Sequence, residues 1–259
     1  MTPPQIQARE LPVLKAFGHM LAGLRAHWLG AFKLALPWLA LMAVLDIWSL
    51  NIKPFKANPT AELNLTFVDL ISVLVGLLAT SSIAVSWHRF ILTDAPLHAE
   101  PAFRIDKIVW AYLGRSFLIY FLCLIPIVAL VFIRELSGAV ILQPLILGFI
   151  VMLIVFICRM SISLPAVAII KPAIGLKHAM EATRRNNLRI LGLIGLSFVS
   201  LAIPFLVYLV VIGAMSNLNP KIAIVAAAVL GIPLQFYSVM MNATLLTSLY
   251  GFFIEKRDF

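Results

Sequence analysis

Six stretches of this chain are each long and apolar enough to cross a bilayer, and they leave little sequence for anything else. A hydrocarbon core of about 30 Å calls for about 20 predominantly apolar residues in a helix. Residues 28–50, 66–87, 112–133, 139–158, 190–215 and 222–250 meet that requirement. None of these runs alternates apolar with polar residues, as the strands of a membrane barrel do. The composition agrees: 62% of residues are hydrophobic, 12% are charged and mean hydropathy is +1.03. Soluble domains carry roughly 45–50% and about 25%. A cytosolic enzyme, a disordered chain, a coiled coil and a disulfide-rich secreted module are thereby excluded. The expected fold is an all-α integral membrane protein, one polytopic domain over residues 1–259 with six transmembrane helices. The first apolar run, beginning near Trp28, lacks a small-residue cleavage site and reads as a span rather than a signal peptide.

The loops predict an orientation. Lys and Arg number 20 against 11 acidic residues, a net charge of +9. No basic run is interleaved with stacking aromatics, so nucleic acid is not an expected partner; anionic headgroups of the cytoplasmic leaflet are. Fifteen Lys and Arg fall in the N-terminus, the C-terminus and the loops after spans two and four, including Arg115 at a membrane edge. Four, Lys53, Lys56, Arg134 and Lys221, fall on the other side, and Lys33 lies within span one, near enough to its start to snorkel. Both termini are expected in the cytoplasm. Cys123 and Cys158 fall at different depths of neighbouring spans and read as packed thiols.

Each odd-numbered span is preceded by a stretch of helical amphipathic spacing, at residues 12–27, 101–111 and 173–188. In the first, Leu14, Phe17, Leu21, Leu24 and Trp28 oppose Lys15, His19 and Arg25. In the last, Lys177, Glu181 and Arg185 form an i, i+4 ladder. These are expected to lie as interfacial helices with cationic faces toward headgroups. Each leads into a span bearing a proline, Pro37, Pro126 or Pro204. Two readings stand: three parallel copies of a helix-plus-hairpin unit, or chance likeness among apolar segments of low complexity.

Ionisable and amide groups inside spans are the candidates for chemistry, since a charge costs about 2.5–3.5 kcal/mol at a helix centre. Asp46, Asp69, Gln235 and Asn242 are the candidate lining of a polar cavity that binds a cation or an amphipathic substrate. Asp69 has the alternative of sitting in a first helical turn, where the dipole favours an anion. Gln143 is a candidate partner for the amides, and Thr80, Ser81 and Ser82 read as packing residues. Arg115, Arg159, Arg184, Arg185 and Arg189 are candidate contacts for lipid headgroups or for a protein partner, with simple positive-inside placement as the plainer reading. The five histidines, at 19, 27, 88, 98 and 178, fall at or beyond the cytoplasmic edge on these spans. No phosphate loop, nucleophile elbow or HExxH motif is present, and the longest loop, about 31 residues, is too short for a catalytic domain. Neither a cofactor nor a metal is implied, and the chain is expected not to be an enzyme.

Residues 159–192 read RMSISLPAVAIIKPAIGLKHAMEATRRNNLRILG: an Arg, an LPAV exit, a Gly-containing turn, an amphipathic stretch and a basic RRNN entry to the next span. In that order they resemble the six-helix inner-membrane domain found beside bacterial glycerophosphodiester phosphodiesterases and the free-standing YciC-like proteins. The likeness covers the last 110 residues or so, and the rest in layout. It implies a multi-pass protein of the bacterial inner membrane. The catalytic half of those phosphodiesterases is a separate soluble barrel, and its His-Arg-Gly opening has no counterpart, since His88-Arg89 is followed by Phe90. No catalytic residue carries over. The expected role is a non-enzymatic scaffold or accessory protein, with a small transporter or lipid-handling protein as the alternative.

Overall fold

The structure, a computed structural model, describes residues 9–52, 66–94, 96, 101, 103–138, 142–170 and 174–259. Regular structure among them is entirely helical. The helices are α1 (Val13–Ile52), α2 (Phe67–Thr93), α3 (Lys107–Ser137), α4 (Leu142–Ser161), α5 (Leu164–Ala168), α6 (Leu176–Ala182), α7 (Asn187–Leu218) and α8 (Pro220–Phe253). Six of them (α1, α2, α3, α4 continued through α5, α7 and α8) are long and apolar enough to cross a membrane. This is an all-α, multi-pass architecture. At 1.5 Å per residue, α7 and α8 run to about 50 Å, so they tilt across or project beyond a 30 Å core.

Polar side chains at the ends explain where the helices begin and stop. Thr66 and Asp69 form a reciprocal capping box at the start of α2. Asp106 accepts the N–H groups of Ile108 and Val109 at the start of α3, and Asn219 accepts those of Lys221 and Ile222 at the start of α8. Gly138 closes α3 in the left-handed region (φ 61°), which costs a glycine nothing, and its N–H reaches Arg134 O at 3.0 Å. Pro37, Pro126, Pro204 and Pro233 all lie inside helices, as membrane helices tolerate.

Consecutive spans pack as antiparallel pairs: α1 with α2, α3 with α4, α7 with α8. Further contacts of α2 with α3, α4 with α7 and α8 with α1 close these pairs into a ring, and α2 also meets α8 across it. The most extensive interface is α1 on α8. The core threads through Trp38, Ile83, Trp87, Ile119, Met240, Tyr250 and Phe253. In the most apolar stretches of α3 and α7 only 11% of residues are buried, against 39% for α1, α2 and α4. Two flanks of the ring therefore present apolar surface outward, as surface facing acyl chains must.

The expected interfacial helices differ from one another. The first is present as residues 13–26 of α1, set off by a break at His27 (φ −120°, ψ 15°). Its buried line is Ala16, Met20 and Leu24, turned into the bundle, while Leu14 and Trp28 stay exposed. The second is absent: residues 103–106 are not helical, and α3 begins only at Lys107. Instead Phe103 packs edge-on against Trp38 at 5.0 Å, and Arg104 pairs with Asp106. A helix would have placed its apolar residues in lipid; here Phe103 folds back onto α1. The third shortens to α6, followed by a turn in which Arg185 takes a positive φ of 69°.

That turn holds residues 9–11. The carboxamide of Asn186, almost fully buried, accepts from the Leu11 N–H at 2.9 Å and donates to Arg9 O at 2.9 Å. Arg189 adds an ion pair to Glu10. Removing the amide orphans two backbone groups, a loss of about 1–3 kcal/mol. We expect Asn186→Ala to lower the melting temperature in detergent and to expose the chain around residues 9–12 to protease, which limited proteolysis with mass spectrometry will read.

A second prediction concerns Asp106. Burial acts to raise its pKa, but the Arg104 hydrogen bond and charge and the Val109 and Ile108 N–H groups outweigh that and hold the carboxyl below the usual range. A depressed folded pKa gives stabilisation that is complete above the unfolded pKa, about 3.9, and lost as pH falls through the folded one. Asp106→Ala should cost about 0.5–2 kcal/mol at pH 7. The gap to wild type should narrow in melts taken from pH 5 down to pH 3.

Candidate functional site

A cavity of about 460 Å³ lies between α2, α3, α4, α7 and α8, within the usual range for small-ligand sites. Its α3 lining runs from Tyr112 to Tyr120. At 1.5 Å per residue this is roughly 8–20 Å from the start of α3, in the half of the bundle nearer the chain termini. Phe117 on α3 and Phe198 on α7 stand at its rim, 67% and 70% exposed. The cavity lining thus reaches the bare apolar flanks of α3 and α7.

Half of the lining residues are Leu, Ile or Phe, with hydroxyls set among them: Thr80, Ser81, Tyr112, Ser116, Tyr120, Ser161, Ser197 and Ser238. Thr80, Ser116 and Ser197 donate to the carbonyls of Gly76, Tyr112 and Leu193, one turn back on their own helices. Their protons are committed, so their oxygens offer lone pairs to the cavity. Asn242 sits among them on α8, one turn from Ser238, and is more than a third exposed although it lies well inside a span.

Behind Tyr112 runs a buried chain of hydrogen bonds. Thr247 donates to Ala243 O at 2.7 Å, so its oxygen accepts from His88 Nδ1 at 2.8 Å. His88 Nε2 then accepts from the Tyr112 hydroxyl at 3.2 Å. The network therefore assigns the neutral Nδ1–H tautomer. Tyr112 lines the large cavity, and Thr247 lines a second one of about 250 Å³ beneath Arg257, Asp258 and Phe259 at the terminal end. The triad forms a wall between the two and ties α2, α3 and α8 together. His88 is fully buried, on a helix that continues to Thr93, past the boundary that hydropathy suggested. The signal available in the sequence was a His in register with hydroxyls, which apolar averaging conceals.

The four residues expected to share a polar cavity are brought together only in part. Gln235 Nε2 donates to Asp46 Oδ2 at 3.4 Å, so these two meet on α8 and α1. Asp69 is committed to the α2 cap, accepting the Thr66 N–H and hydroxyl and the Ser49 hydroxyl. Asn242 alone of the four lines the large cavity. The spans are apolar all round, so spacing could not say which interface each polar residue faces. Gln143 does not line the cavity either.

The arginines also divide. Arg159 is buried and donates to Thr183 Oγ1 and Asn187 Oδ1, both at 2.8 Å, and to Met180 O. It holds α6 and the turn before α7 onto α4, so a guanidinium that was a candidate for headgroup or partner contact is engaged inside the protein. Arg189 is engaged with Glu10 and Leu11 O. Arg184 and Arg185 are exposed, and Arg115 is partly so. Thr183, Asn186 and Asn187, the polar residues that give the ATRRNN segment its structural role, were not among the expected site residues.

No protein-family model, no curated protein and no solved structure matches this chain.

Arg159→Met leaves three acceptors without their donor, a loss of about 1.5–3 kcal/mol for hydrogen bonds to a charged group. The variant should melt earlier with unchanged binding to vesicles of anionic lipid; the opposite pattern, normal melting and weakened vesicle binding, would restore the headgroup role. Tyr112→Phe removes the donor to His88 and should cost about 0.5–2 kcal/mol, measured by the same melts.

Proposed function

We propose that this protein is a non-enzymatic, lipid-handling member of the bacterial inner membrane that takes one amphipathic molecule from the surrounding leaflet into its side-opening cavity. The cavity carries this reading: its volume suits a small ligand, its rim stands on exposed apolar flanks, and its interior hydroxyls give a polar head something to meet. Both termini are placed in the cytoplasm on the strength of the Lys and Arg bias, 15 against 4. The cavity then lies in the inner leaflet. The resemblance of residues 159–192 to YciC-like proteins is part of the same proposal and fits that location. Against hydrolysis stand the committed protons of Ser116 and Ser197, which point to backbone carbonyls and not to a base. His88, a potential base, is engaged through both ring nitrogens.

A scaffold or accessory role is the second reading, favoured by one observation: Arg184 and Arg185 are exposed side by side at the terminal end of the bundle. They suit an acidic surface of a cytoplasmic partner or the anionic leaflet.

Native mass spectrometry of the protein released from nanodiscs made directly from its own membrane separates the two. One small amphiphile retained at unit stoichiometry is expected, and Ser197→Phe, which fills the cavity from α7, should abolish that retention while leaving the melting temperature within a few degrees. A stoichiometric protein companion and an empty cavity would favour the accessory reading and sink the first.

A further inference from the structure

We infer that the side-opening cavity takes a neutral, single-chain amphiphile whose head bears hydroxyl groups, and turns away the same chain carrying an ionised phosphate. This rests on the lipid-handling reading and adds the chemical class of the ligand. Among the described residues that line the cavity there is no Lys, Arg, His, Asp or Glu. An ionised phosphate drawn into such a space loses water and finds no counter-charge, an arrangement that proteins avoid. The cations nearby do not repair this. Arg159 follows the lining residue Cys158 in sequence, but its guanidinium is committed to Thr183, Asn187 and Met180 O. Arg115 precedes the lining residue Ser116 yet is not itself part of the wall.

The polar groups that do line it specify what fits. Thr80, Ser116 and Ser197 have given their protons to backbone carbonyls and present acceptor lone pairs. A ligand that donates hydrogen bonds satisfies them; one that only accepts does not. Asn242 supplies a carboxamide with both donor and acceptor, and Ser238 a further hydroxyl, at adjacent turns of α8. A glycerol-like or long-chain-alcohol head meets this set without stranding a charge, while its chain lies among the Leu, Ile and Phe side chains.

The test compares two probes that differ only in the phosphate: 1-monooleoylglycerol and 1-oleoyl lysophosphatidate. Each is titrated against the full chain in nanodiscs of zwitterionic lipid, with occupancy read by native mass spectrometry. Monooleoylglycerol should bind at least tenfold more tightly. Asn242→Leu should weaken it about tenfold without lowering the melting temperature, and Ser238→Ala, a smaller change, should weaken it several-fold. Equal or tighter binding of lysophosphatidate overturns the inference while leaving lipid handling intact, the more so if Arg115→Ala removes that binding. Binding of neither probe, with a folded protein that also retains nothing from its own membrane, overturns both the inference and the reading it rests on.

Discussion

Within hydrocarbon there is no water to drive helices together, so a bundle depends on close packing and on hydrogen bonds made across its interfaces. Among the described residues, several of those bonds gather at one end. His88 links α2 to α3 and α8, Arg159 links α4 to α6 and α7, and Asn186 links the start of α7 to the N-terminal segment. Arg9 reaches Asp258 and stacks on Phe252, bringing the other end of the chain into the same region. Polar clasps thus tie α2 to α3 and α8, α4 to α6 and α7, and residues 9–11 to the start of α7. At the opposite end, among the described residues, Ser49 donates to Asp69 and Gln235 to Asp46, and α3 and α7 leave most of their surface bare.

That asymmetry explains where a cavity can exist. A void in a uniformly tight bundle costs packing energy in proportion to its volume, and in a uniformly loose one it has no fixed shape. The cavity sits beside the clasp, with Tyr112 and Ser161 belonging to helices anchored by His88 and Arg159. Its rim lies on the two least covered helices. One wall is therefore held and the other is free to admit a ligand, which is the division that a site filled from the membrane requires.

The sequence showed the coarse fold because hydropathy over 20 residues is a strong signal and survives imprecise boundaries. Six spans, their pairing through short turns and the absence of strands follow from it. The candidate site was far less legible. Asp46, Asp69, Gln235 and Asn242 share a chemical oddity, polarity inside a span, but only Asp46 and Gln235 meet directly; a helix that is apolar on all sides carries no periodic mark of which face looks inward. The bonds of His88 to Thr247 and Tyr112 were not legible for a related reason: α2 extends beyond its most apolar window, to Thr93. The amphipathic spacing of residues 101–111 was real, but Asp106 caps α3 instead of riding on a surface helix. Segment 12–27 was read better, since the break at His27 falls where its amphipathic pattern ends.

The arrangement of cations around the cavity gives the strongest reason to treat it as a selective site and not as a packing fault. Arg159 lies at the membrane end of α4, one residue from Cys158 and two from Ser161, both of which line the cavity. An arginine at that place in the sequence has an obvious use as an anchor for a phosphate. The fold turns the guanidinium away, satisfies it with a hydroxyl, a carboxamide and a carbonyl, and buries it. The same residue that makes the clasp is thereby removed from the cavity wall, so the rigidity of the terminal end and the neutrality of the cavity have one cause. A void left by imperfect packing would carry no such relation between its chemistry and the structure that holds it open. A site for an uncharged head does.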